Sequence, residues 1–106
     1  MSDEYVLILV TAPNQKEAEL ISQTLVEKKL AACCNITKDI KSIFHWKGEI
    51  CTEQEHLLFI KSMRKNLNDI IHEVKKLHSY EVPEIIAIPI IDGSKDYLNW
   101  VKDEVW

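Results

Sequence analysis

The chain has 106 residues, of which 46% are hydrophobic and 28% charged, and its net charge is −4. This size and composition fit one globular domain over residues 1–106 and exclude a disordered chain. Acidic and basic residues are interspersed without a basic run, which argues against a nucleic-acid partner. The apolar runs are too short to span a bilayer, and the polar start at 1–4 is unlike a signal peptide. We therefore expect a cytoplasmic protein.

The first elements along the chain are a strand and a helix. Tyr5–Thr11 is a β-branched apolar run of strand length, so we expect a central strand covered on both faces and ended by Pro13. A helix is predicted over Asn14–Lys29, where Asn14 and Glu17 have the spacing of a capping box.

A long hairpin is predicted next. Ala31–Trp46 and Glu49–Ser62 form its two strands, with a tight turn at Lys47-Gly48 and a bulge at Thr37–Asp39. At about 3.3 Å per residue the first strand would extend roughly 50 Å, well beyond the ~30–35 Å sheet of a compact domain of this size. Its tip would overhang as a two-stranded ribbon, which is marginally stable alone, so we expect it to pack on other copies in a closed assembly. A short hairpin with a floppy tip is the alternative.

The remaining chain predicts a helix, a strand and a last helix. The second helix is expected over Met63–His78 with Ser62 as its cap, a buried strand over Glu84–Ile91, and a final helix over Lys95–Val105 capped by Ser94. The order βαββαβ plus a helix predicts an α+β, ferredoxin-like sandwich with its helices on one face of the sheet.

The cysteines and most histidines offer no catalytic or metal motif. Cys33, Cys34 and Cys51 lack C-x-x-C spacing and are expected to be structural free thiols. Pairing around the predicted turn sets His45 opposite Ile50 and His56 opposite Asp39, so these two histidines do not meet; His72 is expected to be solvated. There is also no nucleophile motif, and we expect no enzymatic activity.

One cluster of residues suggests a binding site. Lys61, Tyr80, Glu84 and Trp46 place charged side chains beside aromatic ones at strand ends, which predicts a ligand-binding cleft between subunits. The alternative is an interface ion pair between Lys61 and Glu84, with the aromatic rings sealing the assembly.

Short blocks spread over residues 5–105 carry a family resemblance. They are TAP at 11–13, LAAC at 30–33, NI at 35–36, SI at 42–43, WKGE at 46–49, Lys61, HSYEVPEI at 78–85 and YLNW at 97–100. In this order and spacing the chain resembles the CutA divalent-cation-tolerance family. The resemblance implies a homotrimer with a PII-like architecture, and copper binding has been proposed for some members.

The resemblance also implies a metal position. Some members have a Cys before the TAP block and a His pair before the loop; here these positions hold Val10, Leu77 and His78, so His78 alone is left as a candidate ligand for Cu(II) or another divalent cation. A loop-capping or hydrogen-bonding role for His78 is the alternative. We expect a trimeric sensor that binds a metal or small ligand in inter-subunit clefts, with an adaptor that docks other proteins, or an enzyme with an interface site, as alternatives.

Overall fold

The computed structural model describes residues 4–106. Its elements are β1 (Tyr5–Ala12), α1 (Gln15–Glu27), β2 (Cys33–Trp46), β3 (Glu49–Met63), α2 (Leu67–Leu77), β4 (Ile85–Pro89) and α3 (Lys95–Asp103). The predicted order of elements is confirmed. The residues 1–3, part of the polar start that argued against a signal peptide, lie outside the described residues. No helix between residues 4 and 106 reaches the length and apolar character needed to cross a bilayer.

The four strands form one sheet in the order β2-β3-β1-β4, and every neighbouring pair is antiparallel. Strands β1 and β3 are therefore central, while β2 and β4 are the two edges. This is the arrangement of the ferredoxin-like fold, and the predicted α+β class is confirmed.

The main core lies between the sheet and the helices α1 and α2. Alternate residues of β1 are buried on this side, because successive side chains of a strand point to opposite faces. They pack against apolar residues at helical spacing on α1 and α2. The largest fully buried members are Ile8, Val10, Ile21, Leu25, Leu58, Ile60, Ile70 and Val74.

Among the residues that the structure describes, the other face of the sheet is covered only at one end. There Val101 of α3 and Val105, which follows α3, pack against Tyr5, Met63 and Ala32. The expectation that all helices lie on one face of the sheet is therefore wrong. Farther along the same face apolar side chains stay accessible to solvent.

The accessible part of this face corrects two expectations. On β1 the side chains of Leu7 and Leu9 are half-buried, so this strand is not covered on both faces within one chain. On β4 it leaves Ile86 and Ile88 50% and 43% exposed, so β4 is an edge strand and not a buried one.

The hairpin overhangs the sheet as predicted. Strand β1 pairs with β3 only over 56–63, so the segments 40–46 and 49–55, here called the ribbon, pair with each other alone. The molecule measures 44 × 25 × 23 Å. The predicted turn is confirmed, with φ of 52° at Lys47 and 82° at Gly48, and the alternative of a short hairpin is wrong.

Two of the three predicted helix caps are confirmed. The Asn14 side chain accepts from Glu17 N at 2.8 Å, and the Ser94 side chain accepts from Tyr97 N. Ser62 is not a cap: it lies within β3, fully buried, and its Oγ donates to Leu30 O at 2.5 Å. The chain instead enters α2 through a 3-10 turn at Arg64–Asn66.

Candidate functional site

A cleft of about 970 Å³ lies between the ribbon and the loop that follows α2. The loop contributes residues 79–84, and the end of β1 contributes Thr11 and Pro13. The ribbon contributes Ser42, Ile43, Phe44, His45, Trp46, Cys51, Glu53 and Glu55. The predicted cleft thus has a counterpart within a single chain.

A β-bulge decides which ribbon side chains face the cleft. The register of β2 and β3 shifts between Thr37 and Ile40, where Asp39 has a φ of 66°. Below the bulge, odd-numbered residues of β2 face odd-numbered residues of β3; above it, Phe44 faces Cys51. Because an extra residue exchanges the two faces of a strand, the bulge brings Phe44 and Trp46 to the same face as Glu53 and Glu55. The sequence predicted the bulge but not this consequence.

The loop on the opposite side of the cleft is fastened by His78. Its side chain is fully buried; Nε2 donates to Thr11 O at 2.6 Å, and Tyr80 N donates to Nδ1 at 3.1 Å. The backbone N and the Oγ of Ser79 donate to Glu17 Oε2 at 3.0 and 3.1 Å, which ties the loop to the start of α1.

These contacts argue against His78 as a metal ligand. A carbonyl oxygen can only accept, so the contact with Thr11 fixes a proton on Nε2 of His78. The other ring nitrogen, Nδ1, accepts from Tyr80 N at 3.1 Å and lies 3.2 Å from Glu17 Oε2, so it too already has protein partners. The geometry fits the alternative of a hydrogen-bonding residue that holds the loop. Within residues 4–106, no group of three or more His, Cys, Asp or Glu is placed to hold a metal ion.

Tyr80 connects the loop to the ribbon. Its hydroxyl donates to Glu55 Oε2 at 2.7 Å, and its ring lies 4.8 Å from the His78 ring. Burial, and then the neighbouring Glu55 carboxylate, raise the pKa of Tyr80 well above its usual value of about 10. The phenol therefore keeps its proton and remains a donor to Glu55 at physiological pH.

The cleft is acidic and aromatic. Four glutamates line it, Glu53, Glu55, Glu81 and Glu84, together with the rings of Phe44, Trp46 and Tyr80, and no Lys or Arg stands among its lining residues. Such walls favour a cation and repel an anion.

Three of the four predicted cleft residues come together, and one does not. Trp46, Tyr80 and Glu84 line the cleft, whereas Lys61 lies farther along β3, paired with Cys33. Its Nζ donates to the side-chain oxygen of Asn35. Within one chain neither the predicted cluster with Lys61 nor the alternative ion pair with Glu84 is formed.

The other histidines and the thiols are placed as the sequence suggested. His45 faces Ile50, and His56 lies opposite the bulge, so the two do not meet. All three cysteines are free. Burial raises the pKa of the Cys34 thiol to about 11, which suits an unreactive structural residue.

Comparison with known proteins identifies sequence and fold relatives. The family model described as CutA1 divalent ion tolerance protein matches residues 6–104. The chain is 41% identical over 97 residues to the divalent-cation tolerance protein CutA of Thermus thermophilus, covering 92% of this chain and 94% of that protein. It is 39% identical to the chloroplastic protein CutA of Arabidopsis thaliana, again over 92% of this chain, but spans only 54% of the plant protein.

Solved structures of similar proteins share the fold. The structure of the divalent cation tolerance protein Cut A1 from Thermus thermophilus has a TM-score of 0.94 at 39% identity, covering 96% of this chain and 99% of that one. The structure of CutA1 from Oryza sativa has a TM-score of 0.95 at 36% identity, covering 100% and 98%. The relatives' names specify different compartments, such as chloroplastic and periplasmic, and the cytoplasmic location of this chain stays a prediction.

Proposed function

The chain belongs to the CutA1 divalent ion tolerance protein family, and from this premise we propose that it is a non-enzymatic homotrimer that binds a metal ion or small ligand in clefts between its subunits. Its link to divalent-cation tolerance comes from the family. The trimer, the ligand and the absence of enzymatic activity are the parts that we add.

The observation that carries this proposal is the accessible apolar face of the sheet. Its members are Leu7, Leu9, Leu57, Phe59, Ile86 and Ile88, here called the open face. Fully burying one large aliphatic side chain stabilises by about 1.5–3 kcal/mol, so an accessible face of this size favours association. The ribbon adds Ile43 and Ile50, which are 67% and 71% exposed.

A closed ring of sister chains would cover these surfaces. The two sheet edges, β2 and β4, lie at opposite ends of the sheet. A head-to-tail contact joins unlike surfaces of neighbouring copies, and it hides every edge only when the ring closes. The number three follows from the PII-like architecture that the family resemblance implies. In such a ring the ribbon would reach a neighbour and help to wall the cleft.

Sedimentation velocity tests the assembly. Three chains of 12.3 kDa give about 37 kDa, which we expect for the native protein at micromolar concentration. The double variant Ile86→Lys/Ile88→Lys sets charges on the open face and should sediment as a single chain. Leu20→Lys is the matched control, because Leu20 is 51% exposed on α1. A native protein that sediments as a folded monomer would remove the trimer and its clefts.

The divalent-cation part is tested by calorimetry with Cu(II) and Zn(II). We propose that any such ion binds at the cleft glutamates and not at His78, whose ring nitrogens already have backbone partners. His78→Ala should therefore lower stability and leave the metal affinity unchanged, whereas Glu55→Gln should weaken it. Loss of metal binding in His78→Ala, with the fold intact by circular dichroism, would show that His78 is a metal ligand.

A further inference from the structure

The cleft contains a buried carboxylate without a counter-charge. Glu55 is only 4% exposed, yet its partner is the neutral hydroxyl of Tyr80. Within residues 4–106 it forms no salt bridge, and the cleft lining offers it neither Lys nor Arg. Taking an isolated carboxylate out of water costs several kcal/mol unless a cation or several donors compensate it. Glu55 therefore provides a position at which a cation would be stabilised.

Aromatic rings stand on the same face of the ribbon. Phe44 and Trp46 are 38% and 39% exposed, and the register above the bulge places them beside Glu53 and Glu55. The negative face of an aromatic ring attracts an ammonium group. The chain already shows this contact, since Lys47 Nζ lies 5.6 Å from the centroid of the Trp46 ring. The cleft thus combines carboxylates with surfaces that suit both methylene groups and ammonium groups.

The same features select against phosphates, and within one chain they do not complete a metal site. Nucleotides and other phosphates need positive charge, and the cleft lining has no Lys or Arg. A metal ion needs several ligands that converge on one point, and the described part of the chain has no group of three or more such side chains. The volume of about 970 Å³ suits a molecule of many atoms rather than a single ion.

We propose that the cleft binds a small organic amine, with an ammonium group on Glu55 and Glu53 and its methylene chain along Phe44 and Trp46. The inference rests on the proposed function and deepens it, because it names the chemical class of ligand for the same cleft. Glu81 and Glu84 at the loop side then serve further ammonium groups of a polyamine.

Isothermal titration of the native assembly with spermidine tests the proposal. We expect saturable binding with one site per chain, and no binding of 1,8-octanediol, a neutral molecule of similar length. Glu55→Gln keeps the shape and the contact with Tyr80 but removes the charge, so the dissociation constant should rise at least about tenfold, as for loss of a charge-assisted hydrogen bond. Trp46→Leu should raise it several-fold.

Two further variants distinguish binding of the amine in the cleft from nonspecific attraction to an acidic protein. Glu84→Gln alters an exposed lining residue and should weaken binding without affecting folding. Glu27→Gln removes the same charge from the outer surface of α1, where Glu27 accepts from Gln23 at 3.0 Å, and should leave the affinity unchanged. Equal weakening by Glu27→Gln and Glu55→Gln, or equal binding of the diol, would overturn the proposal.

Parallel titrations with ATP and Cu(II) separate failure of this inference from failure of the proposed function. Binding of either one, weakened by Glu55→Gln, together with no binding of spermidine would refute the amine class and keep the ligand cleft. The absence of all binding to a native trimer would refute both. If a lysine of a sister chain formed an ion pair with Glu55, the native trimer would bind none of the three ligands.

Discussion

Among single residues, Glu73 links the two core helices electrostatically. Glu73 is a buried residue of α2. Its carboxylate lies 2.8 Å from Lys28 Nζ at the end of α1 and 3.6 Å from Lys76 Nζ. The hydrogen bond from Lys28 lowers the pKa of Glu73 below its usual range. A lowered pKa in the folded state means that folding favours the ionised form.

The sign of this shift predicts how the contribution of Glu73 depends on pH. It is fully present above the unfolded pKa of about 4.3 and is lost as the pH falls through the lower folded value. The native protein should therefore be more stable than Glu73→Gln at pH 7, and the difference should vanish in acid. Urea unfolding of both proteins at one concentration, from pH 7 to pH 3, measures it. A difference that does not change with pH would contradict the electrostatic origin.

Two buried polar residues show what the sequence could and could not predict at this scale. The sequence marked His78, but its role follows from a contact with Thr11 that is 67 positions away along the chain. It did not mark Glu55, whose partner Tyr80 is 25 positions away. Local patterns do not contain such contacts, so the hydrogen bonds of His78 and the burial of Glu55 could be seen only in the fold.

At the scale of elements, the bulge in β2 is the feature that builds the cleft. The hairpin, its turn and the bulge at Thr37–Asp39 were all predicted from local residues, because turn and bulge preferences are local. The burial of β4 was predicted wrongly, because an apolar strand looks alike whether a helix or another chain covers it. For the same reason, the sequence did not indicate that α3 packs on the opposite face of the sheet.

The backbone of the bulge predicts an asymmetric response to substitution. Asp39 has a φ of 66°, which an Asp tolerates, a Gly adopts freely and a β-branched residue disfavours. Asp39→Val should lower the free energy of unfolding by about 1–2 kcal/mol, whereas Asp39→Gly should change it by less than about 1 kcal/mol. Urea unfolding at a fixed protein concentration compares them.

The control for the bulge is Lys41→Val in the regular ribbon above it. Lys41 is exposed and faces Gln54 in unbroken antiparallel pairing, so a β-branched residue should be accepted there. If Lys41→Val and Asp39→Val are equally destabilising, the loss would come from valine on the ribbon surface and not from the bulge conformation.

For the whole molecule, the decisive property is that the ribbon extends beyond its own globule. Within residues 4–106 the segments 40–46 and 49–55 have no third strand, and an isolated two-stranded ribbon is marginally stable in water. All residues of the main core lie outside these segments. The chain can therefore fold without the ribbon tip, whereas the proposed trimer needs it.

This separation predicts that shortening the ribbon uncouples folding from assembly. Deleting residues 44–45 and 50–51 removes two facing pairs, keeps the turn at Lys47-Gly48 and shortens the ribbon by roughly 7 Å. Since an even number of residues leaves each strand, every remaining side chain keeps its face. We expect native helix content by circular dichroism but, at micromolar concentration in sedimentation velocity, a species smaller than a trimer of the shortened chain. Lys47→Asn, which keeps the ribbon length and suits the positive φ of the turn, should stay trimeric. A shortened protein that remains fully trimeric would show that the open face alone holds the subunits together.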